Sequence, residues 1–342
     1  MTVTIKDVAR RADVSTATVS HVLNKTRFVS DELVGRVNLA IDELEYYPNL
    51  VVGSMRRKKT FTVGLVMPSI SNETFSALAE TIQRLLFEKQ YHVIICNTAY
   101  DETVEAATLR TLLTKKVDGM IVIPMTRTAG VYARIQALGV PVVLVDRVIP
   151  DLAADTVTVN NYLGSHQAAR FLLELGHRRI GYIDRILDHS HSLDQKRGYR
   201  EALAEAGIPY DEGLVVRADG FGYDAGNRAV KELLGRLPAP TAVMAFIDII
   251  AIGAMRGVVD LGLSVPGDVS LVGFDDMPLA AHTTPRLTTI SFPVAEIAGA
   301  ACELLLKRLV AYQAAPPTNR IIDPSLHVRD STAAPRANRP GE

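Results

Sequence analysis

Several hydrogen-bonding side chains fall on one face of a short predicted helix. With Ser15 as the N-cap, Val19, Val22 and Leu23 form an apolar stripe at helical spacing. The opposite face carries small and polar residues, namely Thr16, Ala17, Ser20, His21 and Asn24. Small side chains let a helix lie close to base edges, while His21 can hydrogen-bond a purine acceptor and Asn24 a phosphate. The pattern favours DNA contact, and a plain solvated helix face is the alternative.

A second set of polar residues follows the apolar runs further along the chain. One group comprises Ser69, Asn97, Asp146 and Arg147, and the other comprises Asp184, Asp219, Asp248 and Asp275. Open α/β sheets bind ligands beyond the carboxyl ends of their strands. We therefore predict a ligand cleft there, with Asp146 and Asp275 as the main candidates. For Asp184, Asp219 and Asp248, capping of the following helix is the alternative role.

The segment DHSHSLD at residues 188–194 could be a metal site or a ligand-binding loop. His189 and His191 supply two candidate ligands, but alternate residues on one loop leave the remaining ligands undefined. We therefore predict no metal. Both histidines are instead expected either to face the cleft, where they would bind a polar or anionic ligand, or to lie in solvent.

No cofactor or catalytic chemistry is expected from the remaining motifs. No strand is followed by a glycine-rich phosphate loop, and no nucleophile and base stand at a recognisable spacing. The sequence therefore predicts a binding protein in preference to an enzyme that acts at the cleft.

The capping and turn signals of the first 48 residues predict three short helices. Thr4 and Asp7 resemble a capping box that starts a helix at Ile5, and Asp13 to Ser15 form a short turn before the second helix. A third helix follows Ser30. This arrangement is a helix-turn-helix pattern, whose second helix can enter a DNA major groove.

From residue 61 onward, apolar runs alternate with amphipathic segments. Eight runs read as strands, from FTVGLVM at residues 61–67 to VSLVGFDD at residues 269–276. Alternation of strands and helices indicates doubly wound parallel sheets, and eight strands divide naturally into two lobes. The predicted fold is therefore a small all-α head followed by a two-lobed α/β core.

Composition and charge limit the classes of protein that fit. The chain has 342 residues, two cysteines and a net charge of −1, and it shows neither a signal peptide nor a membrane-length apolar run. These features predict a cytoplasmic location. Residues 1–59 contain ten lysines and arginines against seven acidic residues, so the head has an excess of three positive charges. A basic head on an acidic body suggests a polyanionic partner for the head.

The stretch TIKDVARRADVSTATVSHVLN, with YYPN at residues 46–49, closely resembles the DNA-binding head of the LacI/GalR family of bacterial transcription regulators. This resemblance implies that Thr16, Ala17 and His21 read bases. It further implies phosphate contacts from Thr4, Ser15, Thr18, Ser20 and Asn24.

The next segment, NLVVGSMRRKKT, resembles the family's hinge helix, which folds against its dimer mate in the operator minor groove. By this resemblance, Met55 would be the apolar wedge, and Arg56 would contact DNA. Gly53 stands where the family commonly has Arg, which is expected to weaken the hinge. A plain basic linker is the alternative.

Residues beyond 61 resemble the family's periplasmic-binding-protein-like core, on motifs that include PSISNETF, VDR, NNYLG, ELGHRRIGYI, RGYREAL, GLSVPGDVSLVGFDD and PRLTTI. The resemblance implies three crossovers between the lobes, near Asn161, Ser291 and Ile322. It also implies effector contacts from one set of residues. This set comprises Ser69, Phe75, Asp146, Phe221 and Asp275. The strand-end residues Arg147 and Asp248 and the loop residues His189 and His191 are further effector candidates.

Two positions depart from the family pattern. Gln195 stands where the family usually has an effector-binding Arg, and Ile247 stands where it usually has Asn. Both positions remain candidate effector contacts. Because a guanidinium and an amide are missing, the family's usual sugar effectors cannot simply be transferred to this chain.

The expected protein is a homodimeric transcription regulator, acting as a repressor on a near-palindromic operator and controlled by a sugar-like effector between the lobes. A small-molecule binding protein without DNA activity and an enzyme acting at the cleft are the alternatives. The expected domains are a head at 1–48, a hinge at 49–60, a core at 61–332 and a disordered tail at 333–342. Within the core, one lobe comprises 61–160 plus 292–321, and the other comprises 162–290 plus 323–332.

Overall fold

The structure is a computed structural model that describes residues 3–24, 27–46, 59–126, 128–185, 190–311 and 316–336. The chain forms two compact units, Met1–Thr60 and Phe61–Glu342. The hinge residues Met55 and Arg56, together with His189, lie outside the described residues. For Asn24 and Ser190, the structure describes the backbone only.

The first unit contains three helices around a small apolar core. Helix α1 spans Ile5–Ala12, α2 spans Thr16–Asn24, and α3 spans Asp31–Glu43. Their buried residues are Val8, Ala9, Ala12, Val19, Val37 and Ala40. The Arg36 guanidinium of α3 donates to the Ala12 carbonyl oxygen at 2.7 Å and to the Asp13 carbonyl oxygen at 3.0 Å. These bonds satisfy the carbonyls at the end of α1 and hold the turn between α1 and α2 against α3.

The first lobe of the core is a six-stranded sheet in the order β11-β5-β4-β3-β1-β2, with every neighbouring pair parallel. The strands are β1 (Thr62–Met67), β2 (His92–Asn97), β3 (Gly119–Val122), β4 (Val142–Val145), β5 (Asp155–Val159) and β11 (Asn319–Ile322). The helices are α4 (Glu73–Phe87), α5 (Glu102–Thr114), α6 (Gly130–Ala137) and α11 (Val294–Val310). Two apolar clusters place α4 and α11 on one face of this sheet and α5 and α6 on the other.

The second lobe has a sheet in the order β12-β10-β9-β8-β6-β7, parallel except for the pairing of β12 with β10. Its strands are β6 (Ile180–Asp184), β7 (Val215–Arg217), β8 (Ala242–Ala245), β9 (Ser270–Asp275), β10 (Thr288–Ser291) and β12 (Leu326–His327). Its helices are α7 (Asn161–Glu174), α8 (Ser190–Glu205), α9 (Tyr223–Leu234) and α10 (Asp248–Asp260). Helices α7 and α8 pack on one face, and α9 and α10 pack on the other. The predicted doubly wound fold is confirmed for both lobes.

Four strands escaped the apolar-run pattern. These strands are β5, β10, β11 and β12, which are short and rich in polar residues. In β5, for example, Asp155 is buried and accepts two hydrogen bonds from the Arg308 guanidinium, at 2.7 and 2.9 Å. A polar side chain satisfied in this way occupies a position where an apolar residue would have revealed the strand.

The expected disordered tail is wrong for its first residues. The Ala333 carbonyl accepts hydrogen bonds from His177 Nε2 at 2.9 Å and from Ser270 Oγ at 3.0 Å, and Arg336 pairs with Asp268. These partners come from distant parts of the second lobe. The Pro and charge content of the tail alone therefore could not predict these contacts. Residues 337–342 lie outside the described residues.

Candidate functional sites

Helix α2 starts on a side-chain cap. The Ser15 hydroxyl accepts from the Thr18 backbone N–H at 3.0 Å and lies 2.9 Å from the Thr18 hydroxyl. The Asp7 carboxylate accepts from the Thr4 backbone N–H at 3.0 Å, which completes the expected capping of α1. Both helix starts are therefore fixed by residues that local sequence identifies.

The outer face of α2 carries the residues expected to meet DNA. Thr16 and Ala17 are exposed, and Ser20 and His21 are half-buried, while Val19 is fully buried in the core of the head. The exposed small residues lie at the start of the helix, where a recognition helix presents its end to a groove. This surface is compatible with base contact, and no described bulky side chain of α2 blocks it.

The core contains a cavity between the carboxyl ends of the strands of both lobes. The described residues lining it are Asn72, Phe75, Tyr100, Asp146, Arg147, Asn161, Arg185, His191, Gln195, Phe221, Phe246, Ile247, Phe274, Asp275 and Phe292. The lobes thus contribute jointly, since Asp146 follows β4 and Asp275 ends β9. This is the position at which open α/β sheets bind ligands.

An acid and a base from the first lobe form one polar wall. The Arg147 Nε lies 3.5 Å from Asp146 Oδ2, and Nη1 donates to the Pro124 carbonyl oxygen at 2.8 Å and to Met125 Sδ at 2.9 Å. Burial lowers the pKa of Arg147 and raises that of Asp146, and their mutual attraction opposes both shifts. Arg147 is thus held by its own lobe before any ligand binds.

Arg185 is a cavity residue that the sequence reasoning missed. It directly follows β6, is only 4% exposed, and stacks over the Phe246 ring at 4.7 Å from the centroid. Its Nη1 contacts His191 Nε2. Burial and the neighbouring Arg147 charge lower the pKa of Arg185 to about 10. The available signal was the dipeptide Asp184-Arg185 at a strand end, which repeats Asp146-Arg147 of the first lobe.

Gln195 and Ile247, the two departures from the family pattern, both line the cavity. Gln195 Nε2 donates to the Asn161 side-chain oxygen at 3.4 Å and to the Phe246 carbonyl at 3.3 Å. Its Oε1 is buried with no hydrogen-bond partner among the described residues. A buried acceptor of this kind requires a donor, which a ligand hydroxyl could supply.

Asp248 lies beneath the cavity and does not line it. Its carboxylate accepts from Thr289 Oγ1 at 2.5 Å and from the Met277 N–H at 2.8 Å. A Cβ at Gly273 would lie 2.0 Å from Asp248 Oδ1, so glycine at that position makes room for the carboxylate. Burial raises the pKa of Asp248 to about 8. Asp248 therefore supports the loop after β9, and the expectation of direct effector contact is corrected.

Asp275 stands above this buried acid in the cavity wall. Its backbone φ is 118°, a left-handed value that is rare outside glycine. Burial, followed by the nearby Asp248 and Asp146, raises its pKa well above the ordinary aspartate value. A raised pKa favours the protonated carboxyl, which can donate a hydrogen bond.

Aromatic rings form the remaining walls. Tyr100 of the first lobe stacks on Phe221 of the second, with centroids 4.5 Å apart and ring planes within 4°. Ser69, expected to contact effector, lies outside the lining and hydrogen-bonds the Tyr100 hydroxyl instead. Stacked and apolar rings suit the flat apolar face of a small hydroxylated molecule.

The structure thus brings together most of the expected cavity residues. These are Phe75, Asp146, Arg147, His191, Gln195, Phe221, Ile247 and Asp275. Ser69 and Asp248 support the cavity from outside its lining. Among the described residues, which exclude His189, no group of three or more His, Cys, Asp or Glu side chains is arranged to hold a metal.

Together, the helix-turn-helix head and the two-lobed core with its strand-end cavity define a ligand-responsive DNA-binding protein. Residues 4–49 match bacterial regulatory proteins of the lacI family, and residues 169–332 match a periplasmic binding protein-like domain. The chain belongs to the lacI family of bacterial regulatory proteins. It is therefore a DNA-binding transcription regulator and not an enzyme.

Individual relatives support this assignment. The chain is 37% identical over 307 residues to the ribose operon repressor of Haemophilus influenzae, covering 90% of this chain and 92% of that protein. It is also 37% identical over 310 residues to the HTH-type transcriptional repressor PurR of Klebsiella pneumoniae, covering 90% of each. A crystal structure of the Lac repressor dimer bound to operator and an anti-inducer has a TM-score of 0.86 and 26% sequence identity. The match covers 98% of this chain and all of that one.

Proposed function

We propose that this chain is a homodimeric repressor whose operator affinity changes when a small hydroxylated molecule binds between the lobes. The observation that carries the proposal is the cavity itself, because Asp146 from one lobe and Asp275 from the other line the same space. A ligand that contacts both walls favours one arrangement of the lobes over another. Its differential affinity for the two arrangements is what changes DNA binding.

The DNA contacts are proposed for the head and the hinge. Thr16, Ala17 and His21 would read bases, and the phosphate contacts would come from Thr4, Ser15, Thr18, Ser20 and Asn24. Met55 and Arg56 of the hinge, which lie outside the described residues, would act in the minor groove. The Lac repressor structure was solved as a dimer on its operator, and two symmetric heads would recognise a near-palindrome.

An exposed apolar edge supports the dimer. Strand β2 lies at the edge of its sheet, and Ile94 and Ile95 are 39% and 42% exposed. Nearby in the chain, Ile70 and Phe87 are 57% and 66% exposed. Edge strands with exposed apolar side chains are normally covered by a partner. We propose that a second copy of this chain covers this edge, in the cytoplasm where the DNA is.

The proposed cytoplasmic location follows from the proposed DNA partner. Among the residues that the structure describes, no helix has the length and apolarity needed to cross a bilayer.

The dimer is tested by light scattering during size-exclusion chromatography. Ile95→Asp should give a monomer, because a charge on the edge strand is costly to bury. Val310→Asp is the control, since Val310 is 86% exposed at the end of α11. A dimer that survives Ile95→Asp unchanged would place the interface elsewhere.

The operator is found by selecting bound sequences from random duplex DNA with the full chain. We expect an inverted repeat. His21→Ala should weaken binding to it by about 1 to 3 kcal/mol and relax the preference at one position of each half-site. Asn38→Ala, an exposed change on α3, is the control. Selection of no sequence, or of a single unrepeated site, would contradict the proposal.

The effector is sought by thermal unfolding of the full chain against sugars, sugar acids, polyols, phosphosugars and nucleobases, with ribose included because of the relative's name. A ligand at 100 times its dissociation constant should stabilise the fold by about 2.7 kcal/mol. Asp275→Ala should remove that shift. Asp219→Asn should retain it, since Asp219 is exposed and pairs with Arg228 outside the cavity.

A further inference from the structure

Arg185 is a buried cation in the cavity wall without a carboxylate of its own. It is 4% exposed, and it forms no ion pair with any carboxylate that the structure describes. Its Nη1 lies against His191 Nε2, and its Nε has no hydrogen-bond partner among the described residues. Buried charges in proteins are normally paired or fully hydrogen-bonded. Among the described residues, which exclude 186–189, Arg185 therefore has no anionic partner, and a bound molecule could provide one.

The adjacent acid does not fill this role. Asp184 Oδ2 is 3.2 Å from the Lys196 Nζ, and Asp184 Oδ1 accepts the Arg185 backbone N–H at 2.9 Å. The Asp184 carboxylate is thus committed away from the Arg185 guanidinium. On the other side, Asp146 already pairs with Arg147.

Arg185 is the cavity guanidinium that no described carboxylate approaches at ion-pair distance. Arg147 has Asp146 beside it, whereas Arg185 has no such partner among the described residues, which exclude 186–189. Burial and the neighbouring Asp248 and Asp146 raise the pKa of Asp275 well above the ordinary aspartate value, and this shift favours its protonated form. An uncompensated positive charge is costly in a space that excludes most water.

We propose that the effector is a sugar acid whose carboxylate binds the Arg185 guanidinium. This inference rests on the proposed function, because it concerns the same cavity. A planar guanidinium fork matches a carboxylate through two parallel hydrogen bonds. The remaining polar atoms suit hydroxyl groups, since Gln195 Oε1 lacks a donor and Asp146 provides a further acceptor. Phe75 and Phe221 cover the apolar face of the sugar.

A monoanion fits this cavity better than a phosphate dianion. One carboxylate pairs with the Arg185 guanidinium, whereas a phosphosugar would place a second negative charge near Asp146. The guanidinium that the family usually supplies at position 195, which lies on α8, would instead come from the end of β6.

The test is isothermal titration of the full chain with matched pairs at pH 7.5. The pairs are glucuronate and glucose, galacturonate and galactose, gluconate and glucitol, and ribonate and ribose, with glucose 6-phosphate added. We expect at least one acid to bind about tenfold or more tightly than its neutral counterpart, which is the worth of a charge-assisted hydrogen bond. We also expect it to bind more tightly than the phosphosugar.

Variants then assign the preference to Arg185. Arg185→Met should weaken binding of the acid about tenfold or more and the neutral counterpart by a much smaller factor. Arg185→Lys, which keeps the charge and loses the fork, should fall between. Arg170→Met is the matched control, because Arg170 is 58% exposed and pairs with Glu174 on the surface of α7.

The outcomes separate this inference from the proposed function. Equal loss of acid and neutral sugar in Arg185→Met would make Arg185 a structural residue and overturn the inference. A neutral sugar or the phosphosugar binding best to the wild-type chain would also overturn it, while loss of that binding in Asp275→Ala would preserve the proposed effector cavity. A panel in which no acid binds overturns the inference as well, and operator selection still tests the repressor independently.

Discussion

Each lobe carries an Asp-Arg dipeptide at the carboxyl end of a strand, but the two strands occupy different places in their sheets and the dipeptides have different partners. In the first lobe, Arg147 follows β4 and pairs with Asp146, its own neighbour, and with acceptors after β3. In the second lobe, Arg185 follows β6, but Asp184 pairs with Lys196 of α8. The Arg147 guanidinium thus has a carboxylate of its own lobe at 3.5 Å, although its Nε, like that of Arg185, makes no hydrogen bond among the described residues. Both side chains line the cavity. The comparison teaches that the same dipeptide can stand at different places in a sheet, and that its neighbours decide whether its guanidinium is available to a ligand.

The largest expected effect comes from removing each guanidinium in turn. Arg147→Met leaves the buried Asp146 without its close partner and should destabilise the core by about 3 to 4 kcal/mol. Arg185→Met removes a buried charge that has no ion pair and should change stability by about 1 kcal/mol or less. Urea unfolding followed by far-ultraviolet circular dichroism measures both, since the chain contains no tryptophan. Equal destabilisation by the two variants would remove the distinction between the lobes.

A second difference between the lobes is the buried acid Asp248 of the second. Its folded pKa is raised to about 8, so the folded chain retains a proton that the unfolded chain loses near pH 4. Between these values the folded state binds more protons, and stability contributed by this group therefore falls as pH rises. Asp248→Asn should remove this dependence and gain on the order of 4 kcal/mol relative to wild type between pH 5 and pH 8.

The quantity to measure is the difference in free energy of unfolding between wild type and Asp248→Asn at each pH. This difference cancels the titration of the groups that both proteins share. Asp219→Asn is the control, because Asp219 is exposed and paired with Arg228. Parallel stability curves for wild type and Asp248→Asn would show that this carboxyl is ionised in the fold.

A smaller effect should follow from breaking the ion pair between Asp184 and Lys196. Lys196→Met leaves Asp184, whose side chain is 3% exposed, without its ammonium and should cost about 1 to 2 kcal/mol. The freed carboxylate then lies next to Arg185 and should reduce the preference for an acidic ligand. The double variant with Asp184→Asn should recover both stability and preference, and a double-mutant cycle measures the coupling. An unchanged ligand preference in Lys196→Met would show that Asp184 does not control Arg185.

The smallest expected effect is at an exposed pair on α7. Arg170→Met breaks the contact with Glu174, in which both side chains are more than half exposed, and should cost about 0.5 kcal/mol or less. The same unfolding measurement checks it. A larger loss would show that surface pairs contribute to the difference between the variants above.

Much of the fold and part of the cavity were accessible from sequence. The capping residues Thr4, Asp7 and Ser15 identified the helix starts of the head, because caps act within one helical turn. Apolar runs identified eight of the strands, because strands buried on both faces are continuously apolar. Asp146 and Asp275 were accessible because strand ends of parallel sheets meet at a common edge.

Other features needed contacts between distant residues. The strand β5 was not evident, since its buried Asp155 is satisfied by Arg308 from the other end of the chain. The order of the tail at Ala333 could not be predicted either, because it depends on hydrogen bonds from the distant residues His177 and Ser270. In both cases, a polar group that suggests exposure is paired through the tertiary fold.

The sequence by itself determined the family, the helix-turn-helix head, the alternation of strands and helices, and the edge of the sheets at which a ligand should bind. These properties depend on local periodicity, capping and motif order, which the chain carries in neighbouring residues. Only the tertiary structure decided that Arg147 is neutralised and Arg185 is not, and that Asp248 supports the cavity from below. The reason is physical, since the charge state and reach of a buried side chain depend on the partners that folding brings within hydrogen-bond distance.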